Sequence, residues 1–269
     1  MNSEAMNRES ITRFGDELYQ ALRGRHTVEP LTARVPGITV DDAYAISRRM
    51  LERRLGDGER VVGKKIGVTS LAVQRALDVH QPDFGFLTSR MVYDDGAELP
   101  ISRELIQPRA EGELAFELGR DLVGPGVTQA DVLAATACVR PCFEIVDSRI
   151  AGWRIRIEDT VADNASSGLF VLGRDAVDPN RGSGFDFVSC GMVVEKNGVV
   201  ISTGAGAAAL GSPLASVAWL ANTLGRYGIG LQAGEVILSG SLVPLEPVVP
   251  GDAMRLRVGG LGCAEVRFS

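Results

Sequence analysis

The chain has 269 residues, 45% hydrophobic and 23% charged, with a formal net charge of −6. This composition is typical of a soluble globular protein with one large domain, or a main domain with a small one attached. The negative charge argues against a general nucleic-acid binder, no apolar run is long enough to span a membrane, and the polar N-terminus does not resemble a signal peptide.

Histidine and cysteine are scarce, which limits the chemistry. Two histidines give little support to a zinc site or a Ser-His-Asp triad, whereas oxygen ligands for a hard cation are plentiful. The four cysteines form no Cys-x-x-Cys pair, and we expect them to be reduced core residues of a cytoplasmic protein. These cysteines are Cys138, Cys142, Cys190 and Cys263.

The first part of the chain predicts a small helical region. Apolar residues recur at three- and four-residue spacing between Ile11 and Leu22, which predicts an amphipathic helix over 9–24. Thr39 and Asp42 resemble a capping box that begins a second helix over 40–55. We therefore predict a helical N-terminal region over residues 1–58 and a β-rich catalytic domain over residues 59–269.

Residues 60–69 predict a strand in which Lys64 and Lys65 face opposite sides. One lysine can then be solvated while the other points inward, although two surface lysines are an equally simple interpretation. A short helix is predicted over 70–77. The Pro/Gly segment that follows predicts a loop, in which Asp83 either caps a turn or transfers protons.

The segment from Gly112 to Leu118 alternates between polar or small residues and apolar ones, the period of a half-buried strand. Glu111 and Glu113 therefore share a face. Two neighbouring carboxylates repel each other, and a divalent cation with oxygen ligands would compensate them. The alternative is an ordinary solvated face of the sheet, which Glu117 would continue.

A third acid, Glu144, lies in an otherwise apolar strand that follows a helix predicted over 130–139. A lone glutamate in such a strand should not be buried without a partner, so a neighbouring position would complete a three-carboxylate site. The polar segment 159–168 is either a source of hydroxyl and amide donors to a ligand or an ordinary turn.

The remaining segments predict many short strands and one long helix. A hairpin is predicted over 188–202 with Asn197-Gly198 at its turn, a helix over 213–226, and strands over 235–239, 253–258 and 263–268. This pattern indicates a closed or rolled mixed β-structure.

Five ordered motifs resemble those of the 2-oxopent-4-enoate hydratases, also called 2-hydroxypenta-2,4-dienoate hydratases, in the fumarylacetoacetate hydrolase superfamily. The motifs are Val62-Gly-Lys-Lys-Ile-Gly-Val-Thr-Ser70, Gln81-Pro-Asp-Phe-Gly85, Gln107-Pro-Arg-Ala-Glu-Gly-Glu113, Phe143-Glu-Ile-Val-Asp-Ser-Arg149 and Asp159-Thr-Val-Ala-Asp-Asn-Ala165. The resemblance implies an α+β fold, the mixed β-roll of the fumarylacetoacetate hydrolase type with a small helical N-terminal region.

The resemblance also implies a site and a reaction. Mg²⁺ or Mn²⁺ would be held by the three acids, while Lys65 and Asp83 would match the active-site lysine and acid of the family. Ser166 and Asn164 are candidates for positioning the substrate. The three metal-binding acids would be Glu111, Glu113 and Glu144. The substrate would be 2-hydroxypenta-2,4-dienoate from aromatic meta-cleavage catabolism, and the product 4-hydroxy-2-oxopentanoate.

Relatives form homo-oligomers, and association with a sibling decarboxylase is a further expectation from the resemblance. Three alternatives remain open: a 2-oxo-3-hexenedioate (4-oxalocrotonate) decarboxylase, a hydrolase of an acylpyruvate, and a catalytically silent partner subunit of the decarboxylase. The intact acidic cluster argues against the silent subunit, which has no chemical need for buried carboxylates.

Overall fold

The computed structural model describes residues 6–76, 79–181 and 184–269. The helices in these ranges are α1 (Arg8–Gly24), α2 (Leu31–Arg34), α3 (Val40–Gly56), α4 (Leu71–Ala76), α5 (Ile101–Glu104), α6 (Gln129–Ala135), α7 (Ile157–Ala162) and α8 (Pro213–Gly225). The strands are β1 (Val61–Gly67), β2 (Asp83–Thr88), β3 (Val92–Asp94), β4 (Glu98–Leu99), β5 (Arg109–Leu118), β6 (Thr136–Val146), β7 (Leu169–Leu172), β8 (Gly191–Lys196), β9 (Val199–Ala205), β10 (Val236–Leu238), β11 (Glu246–Pro247), β12 (Ala253–Val258) and β13 (Gly262–Phe268).

The two predicted N-terminal helices are confirmed as α1 and α3. The Thr39 hydroxyl accepts from the Asp42 backbone N–H and the Asp42 carboxylate accepts from the Thr39 backbone N–H, so the capping box is complete. On the buried face of α3, Tyr44 stacks on Phe84 of β2 with ring centroids 4.2 Å apart. The helical region therefore packs directly against the strand that begins with Asp83.

The strands form two mixed sheets, which confirms the predicted α+β class. The larger sheet has the order β2-β1-β10-β5-β6-β7-β3, with β11 added beside β5, and the smaller sheet has the order β4-β13-β12-β8-β9. In the larger sheet β1 runs parallel to β10, whereas β5 is antiparallel to both β10 and β6. The long pair β5–β6 forms the centre of this sheet and supplies the glutamates of interest.

One face of the larger sheet carries an apolar cluster directly beside the acidic positions. Its buried members come from β2, β5, β6, β7 and β10 and from the turn after β2: Leu87, Met91, Ala115, Cys142, Phe170 and Leu238. Ala115 follows Glu113 by two residues and Cys142 precedes Glu144 by two, so apolar and acidic side chains share this face. The cluster is the apolar floor of the candidate site.

Three predicted boundaries are wrong. The helix predicted over 130–139 ends at Ala135, because β6 begins at Thr136 and pairs with β5 from that residue onward. The predicted loop residue Asp83 is the first residue of β2 instead. Helix α7 occupies the start of the segment predicted as a polar loop. The predicted helix over 70–77 is α4, and the position of Leu77 lies outside the described residues.

A fully buried ion-pair network lies behind the end of β6. The Arg149 guanidinium donates from Nε to Asp163 Oδ1 at 2.5 Å, from Nη2 to the Asp163 carbonyl at 2.7 Å and from Nη1 to the Ser167 carbonyl at 2.9 Å. The Asp147 backbone N–H donates to the Ser166 carbonyl at 2.8 Å. Two neighbouring segments are thereby tied together around residues 164–166.

We expect Arg149→Met to destabilise the protein by about 3–5 kcal/mol, because it leaves the buried Asp163 carboxylate without its cation. Urea denaturation monitored by circular dichroism measures this loss. The matched control is Arg154→Met, which removes an ion pair to Glu29 in which both side chains are about 60% exposed and should change stability far less. Equal losses in the two variants would contradict a special role for Arg149.

Candidate metal centre and active site

Three glutamates converge on the face of the β5–β6 pair that also carries the apolar cluster. Glu111 of β5 lies directly opposite Glu144 of β6 in the strand register, and Glu113 lies two pairs further along, opposite Cys142. One carboxylate oxygen from each glutamate lies within 4.8 Å of the other two. The predicted convergence of the three acids is therefore present in the structure.

The carboxylates lack the partners that buried anions normally have. Glu113 and Glu144 are buried, while Glu111 is partly exposed. Glu113 Oε2 accepts the Gly240 backbone N–H at 2.8 Å, but Glu113 Oε1 and Glu144 Oε2 accept no hydrogen bond from the described residues. Buried carboxylate oxygens without donors are costly. Two glutamates left in this way, with the Glu111 carboxylate beside them, fit a hard divalent cation that keeps other positions for water and substrate.

Crowding also changes the proton affinity of the cluster. Burial raises the pKa of Glu111 to about 8, and the neighbouring Glu144 carboxylate adds to the increase. Burial, followed by the charges of Glu144 and Glu111, raises the pKa of Glu113 well above its usual range. Burial likewise raises the pKa of Glu144, although Lys65 opposes it. A bound cation would reverse these shifts, because metal binding requires the deprotonated form.

The Lys65 side chain supplies a positive charge beside the three carboxylates. Its Nζ lies 3.1 Å from Glu144 Oε1, and both side chains are almost inaccessible to solvent. In the sheet order, β1 and β6 are three steps apart, which is roughly 14 Å in a flat sheet. The two side chains meet because the sheet is rolled. Burial alone would lower the pKa of Lys65, but the charges of Glu144 and Asp83 outweigh it and raise that pKa.

The lysine beside it, Lys64, is also buried, so the expectation that one of the two would be solvated is wrong. Lys64 points to the opposite face of β1, where its Nζ lies 2.5 Å from both carboxylate oxygens of Glu235. Glu235 also accepts the Gln232 backbone N–H. Lys64 therefore forms a buried ion pair on one face of β1, and of the two lysines only Lys65 contacts the acidic cluster on the other face.

Asp83 lies on the strand beside Lys65, where β2 begins opposite Gly67 of β1. A Cβ atom at Gly67 would lie 2.2 Å from Asp83 Oδ1, so only glycine lets the carboxylate approach this closely. Asp83 Oδ1 is buried and accepts no hydrogen bond from the described residues. Burial raises the pKa of Asp83, although Lys65 opposes the shift. A carboxyl group in this state is suited to accept and donate a proton.

The segment Asn164–Ser166 has an unusual backbone. All three residues have positive φ angles between 51° and 54°, and none of them is glycine. Such strain persists only where surrounding contacts enforce it. The Asn164 amide accepts from the Phe86 N–H at 2.8 Å and donates to the Phe86 carbonyl at 2.9 Å, and Ser166 Oγ lies 3.2 Å from Thr160 Oγ1. The turn is thus fixed to β2, the strand of Asp83.

Sequence reasoning did not single out two glycines at this site. Gly67 makes room for Asp83, and Gly240, with φ of 95°, donates its N–H to Glu113. Glycines are abundant in the chain, and their spacing carries no information on which carboxylate they approach. Asn164 and Ser166 were singled out, but the observed contacts of Asn164 serve β2, and direct contact of either residue with a substrate stays a prediction.

The pKa shift of Glu111 predicts how stability of the metal-free protein depends on pH. The unfolded chain releases this proton near pH 4.5 and the folded chain near pH 8. Between these values the folded state holds more protons, so its contribution to stability falls as pH rises. Thermal unfolding with a chelator should show this slope, and Glu111→Gln should reduce it, whereas the surface control Glu98→Gln should retain it. An unchanged slope in Glu111→Gln would contradict the assignment.

Comparisons of the sequence with known proteins all point to the same family. Residues 60–269 match the family described as fumarylacetoacetate (FAA) hydrolase C-terminal. The chain is 68% identical to a 2-hydroxypent-2,4-dienoate hydratase of Pseudomonas putida over 224 residues, which is 83% of this chain and all of that one. It is 54% identical to a 2-hydroxyhexa-2,4-dienoate hydratase of Comamonas testosteroni, over 98% of this chain and 99% of that one.

A solved structure has the same fold over nearly its whole length. The 4-oxalocrotonate decarboxylase of Pseudomonas putida G7, complexed with magnesium and adipate, is 36% identical with a TM-score of 0.94, covering 99% of this chain and all of that one. Separately, none of the helices in the described ranges has the length and apolar character needed to cross a membrane.

Proposed function

The chain belongs to the fumarylacetoacetate hydrolase family, and we propose that within it the chain is a metal-dependent hydratase that converts 2-hydroxypenta-2,4-dienoate to 4-hydroxy-2-oxopentanoate. The single observation that carries this proposal is the convergence of three carboxylates beside a buried lysine and aspartate. Relatives that match most of the chain at more than half identity are named as hydratases of such dienoates. The enzyme would therefore act in aromatic meta-cleavage catabolism.

We propose that Glu111, Glu113 and Glu144 hold a divalent cation, Mg²⁺ or Mn²⁺. Their oxygen donors suit either ion, and the decarboxylase of the same fold was solved with magnesium. When bound, the cation supplies Lewis acidity toward the substrate's 2-oxygen and stabilises negative charge there. The Lys65 ammonium group, held beside Glu144, would bind the substrate carboxylate or the enolate oxygen.

Proton transfer would fall to Asp83. In the first stage the 2-hydroxyl loses its proton and C5 gains one, leaving a 2-oxo-3-enoate. In the second stage the water oxygen bonds to C4 and keeps one of its protons. The other water proton is released, and C3 gains a proton. Asp83 is suited to these transfers because its buried Oδ1 has no donor among the described residues. Ser166, on the strained turn beside β2, would orient the substrate, with Asn164 shaping that turn.

The decarboxylase is the second candidate, since it shares the fold and would use the same enolate chemistry. Its substrate carries a second carboxylate, which requires a further cation or donor group. Among the described residues, Lys65 is the one side-chain cation that forms an ion pair with any of the three glutamates, through Glu144, and this observation favours the hydratase.

Feeding purified, magnesium-loaded enzyme with both substrates separates the candidates. We expect the dienoate absorbance to fall with formation of 4-hydroxy-2-oxopentanoate, identified by NMR, and we expect no release of CO₂ from 2-oxo-3-hexenedioate. Stoichiometric CO₂ release without hydration would assign the decarboxylase instead. Absence of both activities in enzyme that binds the metal would favour the silent subunit.

We further propose that the chain forms homo-oligomers. The edge strand β9 supports this, because Val199 and Val200 are 64% and 55% exposed on a strand paired on one side only. Association with the sibling decarboxylase is the corresponding proposal for a partner. Sedimentation of the chain alone, and of a mixture with that decarboxylase, tests both proposals.

A further inference from the structure

A second cavity, of about 460 Å³, lies between the N-terminal helices and the edge of the larger sheet. None of the three glutamates lines it, and neither do Lys65 or Asp83. Five arginines from four separate segments line it: Arg23, Arg25, Arg54, Arg90 and Arg103. Apolar side chains complete the wall: Leu22, Met91, Leu105 and Leu169.

Two of these arginines are neutralised by acids. Arg23 Nη2 lies 2.6 Å from Asp57 Oδ2 and 2.5 Å from Glu59 Oε1. Arg54 Nε donates to Glu59 Oε2 at 3.0 Å, and its Nη2 donates to Thr88 Oγ1 at 2.7 Å. The two positive and two negative charges cancel. This group therefore forms a rigid wall of the cavity without contributing net charge.

The other three arginines form no ion pair among the described residues. Arg25 Nη2 donates to the Ser102 carbonyl at 2.6 Å, an uncharged partner. Arg90 and Arg103 are exposed, and their side chains make no hydrogen bond or ion pair within residues 6–76, 79–181 and 184–269. Glu104 is the one acid that lines the cavity among these residues, and it accepts from the Tyr93 hydroxyl at 3.3 Å. Three positive charges thus face one negative charge.

We infer that this cavity binds a small dianion that carries a phosphate group or a pair of carboxylates. A guanidinium group presents parallel N–H donors that match the two oxygens of a carboxylate or phosphate. Three such groups from different segments, around a cavity of this volume, can surround one anion. The excess of two positive charges matches the charge of a dianion, and the apolar wall accommodates a short hydrocarbon chain.

The cavity is also connected to the proposed active site through the backbone. Thr88, which binds Arg54, ends the strand that begins with Asp83. Gly168 and Leu169, which line the cavity, follow the strained turn Asn164–Ser166 after one intervening residue, Ser167. A bound anion would therefore hold together segments that also carry residues of the first site, although the two sites share no side chain.

Calorimetric titration of the magnesium-loaded protein with inorganic phosphate, succinate and acetate at constant ionic strength tests the inference. We expect phosphate or succinate to bind, and acetate to bind much more weakly. Loss of each charged donor weakens the binding of an anion by roughly tenfold. The double variant Arg90→Gln/Arg103→Gln should therefore bind roughly 100-fold more weakly. The matched control is Arg8→Gln/Arg48→Gln, which removes the same charge from exposed helix positions away from the cavity and should bind like wild type.

Each other outcome overturns the inference. Binding that persists unchanged in Arg90→Gln/Arg103→Gln would place the anion elsewhere, for example at the metal centre. Absence of binding in the wild-type protein, together with a lower molar mass of the variant in sedimentation, would identify the arginines as a contact between copies of the chain. Retained turnover of the variant shows that it is folded and that its result can be interpreted.

Discussion

Glu113→Gln should reduce metal-dependent turnover by about 10²–10³-fold or more, because it removes one of three charged ligands from the proposed centre. The same substitution should stabilise the metal-free protein near neutral pH by about 1 kcal/mol or more, because the raised pKa of Glu113 means that folding has to protonate a carboxylate that is ionised in the unfolded chain, and an amide avoids this cost. Activity and metal-free stability should therefore change in opposite directions, which a general defect in folding cannot produce.

Three measurements on this variant suffice: turnover against metal concentration, calorimetric titration with Mn²⁺, and urea denaturation in the presence of a chelator. Glu117→Gln is the matched control, since Glu117 lies on the same strand but pairs with Arg140 outside the cluster. We expect Glu117→Gln to bind metal like wild type. Wild-type turnover of Glu113→Gln without added metal would contradict the mechanism.

Asp83→Asn should lower kcat by about 10²–10⁴-fold, the usual contribution of a general acid or base. Metal affinity should remain close to that of wild type, because Asp83 is not one of the three converging acids. The isosteric amide keeps the close approach to Gly67 while it removes the ionisable group that accepts and donates the proton. This combination distinguishes proton transfer from metal binding, which Glu113→Gln removes.

NMR in D₂O gives a second measurement for Asp83→Asn, since wild-type enzyme should incorporate deuterium at C5 of the product and the variant should not. Asp121→Asn is the control, because its carboxylate accepts the Ala233 N–H at the surface and an amide oxygen can do the same. Loss of metal binding in Asp83→Asn, or unchanged deuterium incorporation, would assign Asp83 to another task.

The site residues that could be predicted share a local signal. Alternation along β5 placed Glu111 and Glu113 on one face, and the apolar neighbours of Glu144 indicated that its charge needs compensation. Both arguments use the spacing of residues within one strand, and this spacing can be read directly from the sequence. The family resemblance then added Lys65 and Asp83, which spacing alone left ambiguous.

The errors concern features that depend on distant parts of the chain. The start of β6 at Thr136 is fixed by pairing with β5, and the burial of Lys64 is fixed by Glu235, 171 residues later. The second cavity depends on arginines whose spacing follows no local period. Tertiary contacts determine each of these features, so local propensity could not have predicted them.

The stacking of Tyr44 on Phe84 has a consequence for how the enzyme can be divided. Residues 60–269 match the family and contain every acid of the proposed centre, so an excised fragment with these bounds retains all of the reactive groups. It would nevertheless lack the Tyr44 ring that stacks on Phe84, on the strand that holds Asp83, and water would reach the back of that strand. The amino-terminal helices therefore shield the strand of Asp83 from solvent on the side away from the metal ligands. We expect the fragment to be catalytically impaired although it retains all three proposed metal ligands.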